Sequence, residues 1–170
     1  MTVRGLGDQE RTKFYELLNA TYKPVDALGR CHHNTEQPRR PLLPQGQLWS
    51  VHDQSIWMMK PYKFAMCMEN MATPGYFTEK LFNAYLARAV PVYWGDPLID
   101  KLVNTEAFVW CRPNEPWETC IDQIKALDQD DARYMRMLSQ PILKGNVIPP
   151  WMNYTVLASR LARLWNLPRR

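Results

Sequence analysis

The chain has 170 residues, enough for one compact α/β domain with its own core. Hydrophobic residues make up 46% and charged residues 22%, and the formal net charge is +4. A positive balance this mild, with no long basic run, argues against nucleic acid as a partner and suits a diphosphate ligand. No apolar run is long enough to span a bilayer and no secretory core follows Met1, so the chain as given reads as soluble.

Asp8 is placed to cap a helix over residues 9–22. Phe14, Leu17, Leu18 and Tyr22 share one apolar stripe there, and Pro24 stops it. Val25 to Leu28 is a short strand candidate, ended by Gly29. Residues 34–49, with Pro38, Pro41 and Pro44, read as an extended loop. Ser50 to Lys60 predicts a short amphipathic helix with Ile56, Trp57 and Met59 inward. Tyr62 to Met68 is a nearly continuous apolar run of strand length, which fits a strand buried on both faces. Pro74-Gly75 turns the chain. Thr78 is placed to cap a helix from Glu79 to Arg88, with Leu81, Phe82, Tyr85, Leu86 and Ala89 on its inner face.

Val90 to Trp94 is a second buried strand, closed by Gly95-Asp96-Pro97. Residues 62–94 therefore spell strand, helix, strand, and a connection of that length predicts a parallel pair with a right-handed crossover. A third short strand is expected at Phe108 to Cys111. Helices follow at 117–127, 131–139 and 154–165, the last with Val156, Leu157, Leu161, Leu164 and Trp165 on one side. The fold class implied is α/β, with an open, mainly parallel sheet.

The cysteines, Cys31, Cys67, Cys111 and Cys120, match no zinc spacing and do not amount to a disulfide scaffold at this length. Cys67 reads as a buried free thiol. Cys31-His32-His33 reads more simply as a loop at a strand end than as a metal site. No Gly-rich phosphate loop and no dinucleotide fingerprint is present, so ATPase and dehydrogenase readings are weak. No Asp-x-Asp stands ready for a metal-bound nucleotide sugar, and Asp130-Asp131 read as solvated capping residues.

Ligands of open α/β sheets bind beyond the carboxyl ends of the strands. Here the first buried strand runs into Glu69-Asn70, then a loop, then a helix start whose amide groups form an anion site. Lys80 adds a mobile positive charge, Tyr76 and Thr78 offer hydroxyls, and Gly75 allows close backbone approach. Glu79 fits either a ribose diol or simply the positive end of the helix dipole. Arg11 is either a solvated residue or a side chain reaching a diphosphate across the sheet.

Tyr62-Lys63-Phe64, Glu69-Asn70, the run from Gly75 to Ala84 and Val90-Pro91-Val92-Tyr93-Trp94-Gly95 together resemble the donor-binding signature of α-1,3/1,4-fucosyltransferases. Residues 25–31 are also similar to the strand and turn after that family's first donor-domain helix, and the resemblance covers roughly residues 9–112. It implies the Rossmann-like C-terminal half of a GT-B enzyme that binds GDP-fucose, needs no metal or other cofactor, and inverts the anomeric centre. By the same resemblance Arg11, Asn70, Tyr76, Glu79 and Lys80 hold the donor, with Glu79 on ribose and Lys80 and Arg11 on phosphate. The whole chain, 1–170, is then one donor-binding domain without the acceptor domain or its general base, so no catalytic residue is expected here. The partners implied are GDP-fucose, a glycan acceptor met through the other domain, and possible self-association through the face that domain would cover. Location follows source: cytoplasmic or membrane-peripheral in a bacterium, Golgi membrane in a eukaryote. Arg88 departs from the family's small residue before the second strand, a position near a helix end where an Arg is electrostatically tolerated. A stand-alone GDP-sugar-binding module and a transferase for another GDP-sugar, such as GDP-mannose, are the alternatives.

Overall fold

The strand, helix and strand expected over residues 62–94 are all present in the computed structural model, which describes residues 6–29, 31–39 and 50–164. Strand β1 is Phe64–Met68, β2 is Val90–Trp94 and β3 is Val109–Trp110. They form one parallel sheet in the order β1-β2-β3. Phe64 lies opposite Val90 and Met68 opposite Trp94. Every residue of β2 is buried, as its unbroken apolar run predicts for a central strand covered on both faces.

Pro91 sits inside this central strand, where a missing N–H normally breaks a ladder. The Val90 N–H bonds back to the carbonyl of Lys63, just before β1, so the next residue, Pro91, turns its nitrogen toward β3. Ladder partners of β3 begin only at Val92 and Val109. The proline therefore falls just before pairing starts, and no bond is lost.

Among the described residues there are six α-helices: α1 Leu6–Thr21, α2 Val51–Met59, α3 Lys80–Leu86, α4 Trp117–Asp128, α5 Asp131–Leu138 and α6 Tyr154–Leu164. On one face the α1 stripe buries Phe14 and Leu18 with Met68, Val92 and the inner side of α4. Phe14 packs against Trp117 with the rings tilted and their centroids 5.1 Å apart. On the other face Leu81 and Ala84 of α3 pack with Ala65, Cys67 and Tyr93. Alternation along β1 sends Ala65 and Cys67 to one layer and Phe64, Met66 and Met68 to the other.

Asp128, at the end of α4, ties three elements together. It accepts from the Tyr22 hydroxyl at 2.8 Å and pairs with Lys23 at 2.6 Å and Lys63 at 3.1 Å. The hydrogen bond from Lys23 is the main reason its carboxyl is held down at about 2.

Several expectations need correction. Helix α1 begins at Leu6, so Asp8 lies inside it rather than capping it. Val25 to Leu28 is not a strand. The side-chain amide of Asn34 bonds the Ala27 N–H and the Val25 carbonyl, and Asn19 takes the Val25 N–H. The backbone groups a ladder would need are thus already spent, and a cavity of about 460 Å³ lies between this segment and the outer edge of β1.

Ser50 does start α2, through a reciprocal capping box with Asp53. Ile56, Trp57 and Met59 are only half-buried there. Helix α3 is shorter than expected, and Leu86, assigned to its inner face, is 59% exposed. Leu157 and Leu161 of α6 are exposed too, so that stripe is uncovered among the described residues. Leu164 and Trp165 lie outside the described side chains, as does much of the proline loop.

Arg88 stands at φ 64°, the left-handed region that glycine favours at a helix end. The Ala89 N–H reaches the Ala84 carbonyl at 3.1 Å and closes the α3 terminus around it. Its cost is thus conformational, which the helix-dipole argument does not address. Arg88→Gly is expected to raise stability by about 1 kcal/mol, or roughly 2–4 °C in Tm. A thermal melt showing no rise would refute this.

Candidate functional site: a buried carboxylate beside the strand ends

All three strands end on the same edge of the sheet, and most residues singled out in the sequence gather there. Glu69 and Asn70 follow β1, and Gly95 and Asp96 follow β2. The Glu69 N–H bonds the Trp94 carbonyl at 2.8 Å, which extends the ladder one step and fixes where its side chain goes. That side chain is fully buried. Its Oε1 accepts the Thr78 N–H at 2.7 Å, and its Oε2 accepts the Lys80 ammonium at 2.8 Å. The Thr78 hydroxyl lies 2.9 Å from both carboxylate oxygens and also accepts from Lys80 at 2.9 Å. Burying a charge is costly unless it is paired and hydrogen-bonded, and here it is both.

Asn70 turns the other way. Its side-chain carbonyl accepts from the Arg11 guanidinium of α1 at 3.1 Å. Arg11, Asn70 and Lys80 are therefore joined through two adjacent residues at the end of β1. Tyr76 is half-buried, and its N–H closes a turn onto the Thr73 carbonyl. Glu79 precedes α3 with an exposed side chain that makes no capping bond.

Two parts of the expected chemistry change. Thr78 does not cap the helix. Its amide and hydroxyl are both engaged by Glu69, so neither is left over for a ligand. Helix α3 is only seven residues long, and Lys80 and Arg11 place two cationic side chains at this edge. Gly75 stands at φ 79°, the left-handed region that favours glycine, so the turn itself calls for it.

Other nearby groups are insulated. Burial, and then the charge of Glu69, push the Cys67 thiol well above its usual range, in keeping with an inert buried cysteine. Burial likewise raises the Tyr93 phenol, whose oxygen accepts the Asp96 N–H at 3.0 Å. Cys111 and Cys120 form a disulfide, a pairing that sequence reading did not anticipate. Among the described residues no group of three His, Cys, Asp or Glu is placed to hold a metal, and Cys31 is a free, exposed thiol.

Residues 4–139 match the sequence profile of glycosyltransferase family 10 (fucosyltransferase), C-terminal part. The chain belongs to this family. An alpha-(1,3)-fucosyltransferase of Helicobacter pylori is 38% identical over 128 residues, which is 75% of this chain and 24% of that protein. A GDP-fucose protein O-fucosyltransferase 3 of Xenopus tropicalis is 32% identical over 149 residues, or 86% of this chain and 30% of that one. An α1,3-fucosyltransferase crystal structure with GDP-fucose superimposes with a TM-score of 0.66 at 27% identity, covering 84% of this chain and 38% of its own. The chain thus spans between a fifth and a third of the curated relatives it matches. Within the family-10 fold, Glu69 is the residue sequence reasoning passed over. Its signal was present all the same: a carboxylate closing an otherwise apolar strand has to find a cation, and Lys80 is the nearest one past the turn.

Proposed function

We propose that this chain is the donor-binding domain of a fucosyltransferase that moves fucose from GDP-fucose to a glycan hydroxyl. The observation that carries the reading is the cationic pair Arg11 and Lys80, anchored by Asn70 and Glu69 at the carboxyl edge of a parallel sheet. Membership of glycosyltransferase family 10 and likeness to a GDP-fucose-bound structure support it.

In this reading the two cations take the diphosphate, and the exposed Glu79 accepts hydroxyls of the ribose. Tyr76 and Asn70 line the same edge. The acceptor hydroxyl, deprotonated by a base outside this chain, attacks C1 of fucose in line, and the bond from C1 to the phosphate oxygen breaks with inversion. Negative charge grows on the departing diphosphate, which is where positioned cations lower the barrier most. The residues assigned need no metal or other cofactor to do this.

Calorimetry tests the site. GDP is expected to bind, and Lys80→Ala and Glu79→Ala are each expected to weaken it by about 1–3 kcal/mol, the range for charge-assisted hydrogen bonds. Binding of UDP without GDP, or full affinity in both variants, would refute the assignment. A panel of GDP-fucose and GDP-mannose separates fucose from another GDP-linked sugar.

A further inference from the structure

We infer that Glu69 is a positioning residue of the donor site, acting through Lys80; this rests on the donor-binding reading above. At one oxygen of the Glu69 side chain stands the Thr78 N–H, 2.7 Å away, and at the other stands the Lys80 ammonium, 2.8 Å away. Both groups can only donate. The buried side chain between them must therefore accept at both ends, and an ionised carboxylate does this where an amide cannot.

The consequence for Lys80 is specific. A lysine on a flexible four-carbon stem is ordinarily a mobile charge. Here two of its three N–H donors are assigned, one to Glu69 and one to the Thr78 oxygen. Its side chain is 30% exposed while that of Glu69 is fully enclosed. The third N–H is left for a ligand, and the ammonium is held in one place before any ligand arrives. Enclosure of Glu69 between the strand ends and Gly95 keeps it from following Lys80 outward. A Cβ at Gly95 would lie 2.6 Å from the Glu69 Cγ, so no slack exists there.

Glu69→Gln separates positioning from simple scaffolding. Whichever way the glutamine turns, its NH2 faces either the Thr78 N–H or the Lys80 ammonium, and the cluster must open. Titrating the full chain with GDP and with guanosine, we expect Glu69→Gln to lose about tenfold in GDP affinity with guanosine affinity unchanged, the size of one charge-assisted contact. Lys80→Met is expected to give the same GDP loss, and Glu69→Gln/Lys80→Met no further loss, since both act on one contact. The double variant is also expected to melt higher than Glu69→Gln alone, because the amide then faces a thioether. If Glu69→Gln alone fails to fold, the comparison of Lys80→Met with the double variant stands in for it, and a further GDP loss in the double overturns the role. Unchanged or tighter GDP binding in Glu69→Gln while Lys80→Met weakens it would overturn positioning and leave the donor site intact. Equal losses of GDP and guanosine would reduce Glu69 to a scaffold residue. Absence of GDP binding in the unaltered chain would remove the donor site, and this role with it.

Discussion

Gly95→Ala is expected to destabilise the protein by about 3 kcal/mol and to cost GDP affinity, although it adds a single methyl group. That methyl carbon would lie 2.6 Å from Glu69 Cγ, 3.0 Å from Glu69 Cβ and 2.7 Å from the Tyr93 phenol oxygen. Contacts this short are relieved only if a neighbour moves. The first two atoms lie near the root of a fully buried side chain, and the third holds the Asp96 N–H. Moving Glu69 separates it from Thr78 and Lys80, which leaves a buried charge without its partners. Breaking such a pair from one side generally costs more than the pair itself contributed. Chemical denaturation gives the stability change and a GDP titration the affinity. A variant within about 0.5 kcal/mol of the parent would show that the turn after β2 can yield, contrary to the packing described.

The second large effect concerns the disulfide. Replacing both Cys111 and Cys120 with Ala is expected to lower Tm by about 5–10 °C, from a loss of roughly 2–3 kcal/mol for a loop of this length. The bridge spans nine positions, from the residue after β3 to the first turn of α4. Strand β3 offers only two ladder residues, so it holds α4 weakly by itself. Helix α4 nevertheless supplies Ile121, Ile124 and Leu127 to the core beneath α1. The cross-link confines that connection in the unfolded chain, which is where most of its effect on stability is expected to arise. Melts of the parent with and without reductant, beside the double variant, check the point. Equal Tm values in all three would refute it.

The sheet was legible because its signals are local. An apolar run of strand length, a helical stripe and a second apolar run define β1, α3 and β2 without knowledge of anything distant. Their lengths then force parallel pairing. The cap at Asp130 was legible for the same reason, since it is a matter of a few adjacent residues. Arg11 and Asn70, 59 positions apart, could be linked only through resemblance, and the fold brings them to 3.1 Å.

What stayed hidden depends on competition between distant or compact partners. Residues 25–28 have strand-like side chains, yet Asn34 takes their backbone groups first. Thr78 has the composition of a cap, yet the buried Glu69 claims its amide and hydroxyl. Gly95 gives no sign in sequence of the crowding around it. By itself, then, the sequence determined the parallel α/β core and the edge at which Glu69 and Asn70 leave it, because hydrophobic period and element length are written locally. Only the tertiary structure decided that Lys80 is a held rather than a mobile charge. That outcome requires β1 to end where it does, β2 to close over it, and one enclosed carboxylate to satisfy two donors at once.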